Sequence, residues 1–177
     1  MKLAAEYMVK KLDSKGKVVI LEGTPGASTA QDRKRAINDV LKKSPGIEVL
    51  ASQPALFQRA EGMKVAENLL VRFPKIDAIL ACNDEMALGA IQAVEAAGRQ
   101  KEIMVSGFDA NNDAIKAVAA GKLVVTLDQQ PELQASKALE ALVQYLKGEK
   151  NVQERIVTDA TLVDFANVAQ YVKKRGL

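Results

Sequence analysis

No histidine occurs among the 177 residues, and there is no tryptophan. Without an imidazole, a Ser-His-Asp or Cys-His triad, a His-ligated zinc and an imidazole base are all excluded. The single cysteine, Cys82, rules out an internal disulfide and a cysteine-rich metal cluster. Neither a metal nor a cofactor is expected. Apolar runs stop at about five residues, far short of the ~20 a membrane-spanning helix needs. The opening stretch MKLAAEYMVKKL carries Lys2, Glu6, Lys10 and Lys11. Those charges break any apolar leader segment, so the stretch is read as a helix at about 3–12. Charge of one sign is also scarce: 25 basic against 22 acidic residues leave +3, too weak and too mixed for a nucleic-acid surface.

What remains is ordinary globular material, 48% hydrophobic and 27% charged, long enough to bury its own core. Short β-rich apolar runs alternate with longer stretches of helical period. The strand candidates are 17–21 (KVVIL), 47–51 (IEVLA), 77–81 (DAILA), 103–106 (IMVS) and 123–127 (LVVTL). They alternate poorly, as strands covered on both faces do. Helical stretches lie at about 31–43, 59–73, 84–97, 111–120 and 131–147, the last opened by Pro131 and closed by Gly148. A weak sixth strand or extended tail covers 152–163, and a short helix follows at 165–174. The pattern predicts one α/β domain over 1–177, a flavodoxin-like three-layer sandwich. Its open parallel sheet is expected to have five strands in the order 2-1-3-4-5, with helices on both faces.

In such sheets the ligand site lies outside the carboxyl ends of the strands. Those ends read Glu22–Thr29, Ser52-Gln53-Pro54 with Phe57 and Arg59, Asn83-Asp84-Glu85, Gly107-Phe108-Asp109 and Asp128-Gln129-Gln130. Each has a plain structural role available: Gly23 and Gly26 as turn formers, Asn83 or Asp84 as a helix cap, Phe108 as core. Convergence of all five on one edge favours a site. The 23–29 loop lacks the Gly-Lys-Ser/Thr ending of a phosphate loop and is not G-x-G-x-x-G, although a flavin-phosphate loop stays open. Asn, Asp, Gln and Arg beside aromatic rings suit a polyhydroxylated neutral ligand instead: amides and carboxylates take paired hydroxyls, and a ring covers the apolar face of a sugar. No nucleophile has an evident base beside it, so binding is favoured over catalysis and no catalytic residue is assigned.

The block Asn83-Asp84-Glu85-Met86-Ala87-Leu88-Gly89-Ala90 resembles the signature of the sugar-binding family that includes the bacterial ribose-binding protein. Leu50–Ala55 with Phe57 and Arg59, the loop Glu22–Arg33, Val105–Asp109 and Gly121–Leu123 running on to Gln129 and Pro131 agree in order and spacing. The resemblance is to the C-terminal lobe of these two-lobed periplasmic receptors, whose fold sugar-responsive repressors share. It implies sugar contacts from Arg33, Phe57, Asn83, Asp109 and Gln129, with Phe108 helping to form the wall. It also implies a monosaccharide ligand such as a pentose, a preceding N-terminal lobe, a membrane permease as partner, and a periplasmic parent. Lys34-Arg35-Ala36-Ile37 stands where the family often has a Gly-rich stretch, which changes the local loop but not the arginine. In the family, 131–163 would cross to the other lobe. Here its apolar face (Leu133, Leu139, Leu142, Val143, Leu146) is expected to fold back onto the sheet, and a lobe with an uncovered partner surface is free to form a homodimer. Two other readings stay open, the effector half of a repressor and a flavin-phosphate-binding carrier.

Overall fold

The computed structural model describes residues 1–177. The chain runs α1 (Lys2–Lys11), β1 (Gly16–Glu22), α2 (Ser28–Leu41), β2 (Ile47–Pro54), α3 (Arg59–Arg72), β3 (Ala78–Ala81) and α4 (Asp84–Ala96). It continues through β4 (Met104–Ser106), α5 (Asn112–Ala119), β5 (Val125–Asp128), α6 (Pro131–Leu146), β6 (Thr161–Asp164) and α7 (Val168–Arg175). The sheet order is β2-β1-β3-β4-β5-β6. The first five strands are parallel in the expected order, and β6 pairs antiparallel with β5. The sheet therefore has six strands, not five: the weak extended segment at the end of the chain supplies the last one.

Val18–Leu21 of β1 and all of β3 are fully buried, which is why they read as continuous apolar runs. Strand β2, at the open edge, is only half covered. Helices α1 and α2 pack together on one face, while α3, α4, α5 and α7 form a continuous layer on the other. The closest approach is between α3 and α4, where two glycines face the partner backbone. A Cβ at Gly62 would stand 2.6 Å from the Met86 Cα, and one at Gly89 would fall on the Arg59 carbonyl. This contact fixes the starts of both helices, and hence Arg59, Asn83 and Asp84, at the carboxyl edge.

Helix α6 does not pack on the sheet, which overturns the expectation from its apolar face. No residue of α6 is buried, and Leu139 and Leu146 are 61% and 73% exposed. The reason is that both faces of the sheet are already taken. Helix α1 reaches across to β5 on one side, while α7 packs on α5 on the other. Tyr7 of α1 donates a 2.8 Å hydrogen bond to Asp164 of β6, closing that edge from beneath. The chain exposes 10,031 Å², against about 8,400 Å² for a compact monomer of this length. The uncovered helix α6 contributes to the excess. The exit and return of the projecting segment are clamped together: the Gln130 side-chain amide donates to the Asp159 carbonyl (2.9 Å) and to Thr161 Oγ1 (3.2 Å).

Because Gly89 meets backbone rather than a yielding side chain, Gly89→Ala should destabilise the chain by about 1–3 kcal/mol, read as a lower urea midpoint. Gly98→Ala, where a Cβ would meet nothing within 4 Å, should owe any loss to its positive φ alone.

Candidate functional site

Arg33 lies on the second turn of α2 and reaches under the carboxyl edge. Its Nη1 donates to the Cys82 carbonyl at the end of β3 (2.7 Å), and its Nη2 donates to Asp109 Oδ1 in the loop after β4 (3.1 Å). The Gln129 side-chain amide, just past β5, donates to the same Asp109 oxygen at 2.7 Å. The guanidinium carbon stands 4.1 Å from the Phe108 ring centroid and 5.6 Å from that of Phe57. One cation is thus held between two aromatic faces and a carboxylate, a placement that charge-assisted bonds and ring quadrupoles both favour. The structure brings Arg33, Phe57, Phe108, Asp109 and Gln129 together at this edge.

Asn83 is beside them but is mostly occupied. Its Oδ1 accepts from the Met86 N–H (3.0 Å), capping α4, and its Nδ2 donates to the Phe57 carbonyl (3.2 Å). The cap reading holds for this residue, and one N–H and one lone pair of its amide are left over. Gly23 has a packing role, since a Cβ there would fall inside the Phe57 ring. Arg59, by contrast, is turned outward into a surface network, with Glu85 at 3.0 and 3.1 Å and Asp113 at 2.9 Å.

The edge is strained as well as polar. Leu56, Phe57, Asp109, Ala110 and Gln130 all have positive φ without being glycine. Such backbone costs about 1–3 kcal/mol per residue and persists only where the surroundings over-determine it. Sequence reasoning missed two residues that do this. Asp84 and Thr126 are both fully buried; Thr126 Oγ1 donates to Asp84 Oδ1 at 2.7 Å, and the Asn111 N–H donates to Asp84 Oδ2 at 2.8 Å. The available signal was the first acidic position of the Asn83-Asp84-Glu85 run, which the cap reading absorbed.

Burial pushes the Asp84 carboxyl up to about 6, partly opposed by its bonds from Thr126 and Asn111. Burial also raises Asp109, with Arg33 and Gln129 pulling the other way. For Cys82, burial lifts the thiol to about 11 against the pull of Arg33.

A doubly wound sheet with a polar, aromatic-walled platform at its carboxyl edge is the arrangement of a small-molecule-binding α/β lobe. The chain belongs to the family described as "Periplasmic binding protein domain", whose profile matches residues 2–150. It is 42% identical over 162 residues to the ribose import binding protein RbsB of Haemophilus influenzae, covering 92% of this chain and 54% of that protein. It is 38% identical over 175 residues to a putative rhizopine-binding protein of Rhizobium meliloti, covering 97% of this chain and 56% of the relative. Among solved structures, a periplasmic solute binding protein from Actinobacillus succinogenes with bound D-allose superposes with a TM-score of 0.92 at 34% identity, covering 96% of this chain and 59% of that one. A solute binding protein from Bacillus halodurans with bound myo-inositol gives 0.90 at 35%, covering 97% and 59%. The chain spans about half the length of the curated relatives it matches.

Two outcomes follow from the burial beneath the platform. Cys82 should resist a thiol reagent in the native chain and react at the rate of unfolding, which a spectrophotometric thiol assay follows. For Asp84, the folded value of about 6 lies above the ordinary 3.8. Between those values the folded chain holds a proton that the unfolded chain does not, so this group adds stability as pH falls through the window. Urea unfolding of the parent, compared with Asp84→Asn, should shift in the parent's favour by up to about 3 kcal/mol from pH 7 to pH 4.

Proposed function

We propose that the chain is the sugar-binding lobe of a two-lobed solute receptor of the ribose-binding type. On this reading it takes a pentose such as ribose, or a related monosaccharide, and delivers it to the membrane permease of an ATP-driven importer outside the cytoplasm. The observation that carries the reading is the Arg33–Asp109–Gln129 network between Phe57 and Phe108. Both internal bonds to Asp109 fall on Oδ1. That leaves Oδ2 to accept from ligand hydroxyls, while the opposed charges of Arg33 and Asp109 make a site suited to a neutral polyol. The rings supply the apolar face a pyranose or furanose presents along its C–H bonds. The relatives named for ribose import and the structure with bound D-allose support the same ligand class. No bond is made or broken in this function.

The second lobe enters through α6. Its exposed Leu139, Leu142 and Leu146 are the apolar surface that 131–163 would carry across to that lobe. Where that lobe is not supplied, the same face pairs two copies of the chain, which sedimentation at rising concentration would detect. Closure of a second surface over the platform would remove water from the polar contacts and strengthen them.

Removing the central donor tests the reading directly. Arg33→Ala should weaken D-ribose binding by about 1–3 kcal/mol, the scale of a charged hydrogen bond. Titration calorimetry giving equal affinity in variant and parent would overturn the assignment.

A further inference from the structure

The loop that carries Asp109 is held in a conformation that its residues do not favour. Asp109 has φ 121° and the next residue, Ala110, has φ 51°. Every backbone N–H from Asp109 to Asn111 is committed: Asp109 to the Leu127 carbonyl at 3.0 Å, Ala110 to Thr126 Oγ1 at 3.1 Å, and Asn111 to Asp84 Oδ2 at 2.8 Å. The Asp84 N–H returns a bond to the Phe108 carbonyl at 2.8 Å. The Thr126 hydroxyl accepts from Ala110 and donates to Asp84 Oδ1, so the carboxylate terminates a two-step relay while its other oxygen holds the next residue.

We propose that Asp84 and Thr126 are positioning residues for the ligand site, a buried acceptor pair that locks the 107–111 loop so that the Asp109 carboxylate meets Arg33 and Gln129. The inference deepens the sugar-site reading and rests on it for its functional meaning.

Three features favour this over general scaffolding. First, the Asp84 bonds come from a hydroxyl and a backbone N–H rather than from a cation. A buried carboxylate without a cation costs stability, so packing alone does not account for a charge at this position. Second, the relay needs a side chain with two acceptors and no donor. An amide at position 84 would leave the Thr126 hydrogen without an acceptor or set N–H against the Asn111 N–H. Third, the space has been cleared for it, because a Cβ at Gly107 would land on Asp84 Oδ1. The positioned loop is also gripped from outside, where Arg175 of α7 donates to the Ala110 carbonyl.

The test uses three variants of the full chain: Asp84→Asn, Thr126→Val and Thr126→Ser. The first readout needs no sugar. The Gln129 side-chain amide donates to Asp109, so its nitrogen–proton resonance reports where that carboxylate sits, and hydrogen exchange at Ala110 and Asn111 reports the lock. Asp84→Asn and Thr126→Val are expected to move the Gln129 resonance toward that of a free amide and to lower protection at both backbone amides by at least about tenfold. Thr126→Ser keeps the hydroxyl and should restore the parent values. With D-ribose as probe, the two disrupting variants should bind at least about tenfold more weakly, and Thr126→Ser within about twofold.

If Asp84→Asn does not fold, the Val and Ser variants at Thr126 decide the question, since they differ in the hydroxyl alone among the polar groups. Unchanged Gln129 resonance and protection in Thr126→Val would overturn the inference. So would equal losses in Thr126→Val and Thr126→Ser. A parent chain that ignores D-ribose while the sugar-free readouts behave as stated would count against the ligand reading and leave the positioning role standing.

Discussion

Arg33 is the contact on which the carboxyl edge depends. A parallel sheet delivers its strand ends to one side but does nothing to join the loops that follow them. The guanidinium does that joining. It leaves α2, takes the carbonyl that ends β3 and engages the loop after β4, and through Asp109 it reaches the residue after β5. Its two aromatic neighbours come from the loops after β2 and β4. A flexible ammonium could satisfy one of these demands at a time. A planar fork with several fixed donors satisfies them together.

The polar edge is expensive, and the rest of the fold is arranged to bear that expense. Strained backbone at Phe57, Asp109 and Gln130 stands above strands that are almost wholly aliphatic and above helices pressed together at Gly62 and Gly89. The stable layer is aliphatic and the strained layer is the one that carries the candidate site. Asp84 sits where the two meet, a charge that the core tolerates because Thr126 of β5 and the Asn111 N–H both donate to it. Ser106, buried on β4 with its hydroxyl unpartnered, is the exception.

Much of this was legible in the chain itself. Aliphatic runs such as those at β1 and β3 announce strands covered on both sides, and the glycines and prolines that bound the helices sit where the elements end. Parallel topology pointed to the loops after the strands, while Arg33, which lies on α2, was named only through the family resemblance. The fate of α6 could not be read, because an amphipathic helix declares only that it has an apolar face, never which surface covers it. Nor could the Asp84–Thr126 relay, since the two residues are 42 positions apart and each looks locally like something ordinary, a helix-start acid and a strand threonine.

The clamp at Gln130 gives the projecting segment a mechanical character. The outgoing and returning chain leave together from the end of the β5–β6 ladder, so the residues between them project from one narrow base, as a lever from a fulcrum. The fulcrum is the immediate neighbour of Gln129, and Gln134 on the first turn of the lever donates to the Gln129 carbonyl at 2.7 Å. The projecting helix is thus tied by its first turn to the backbone of the residue whose side-chain amide touches Asp109.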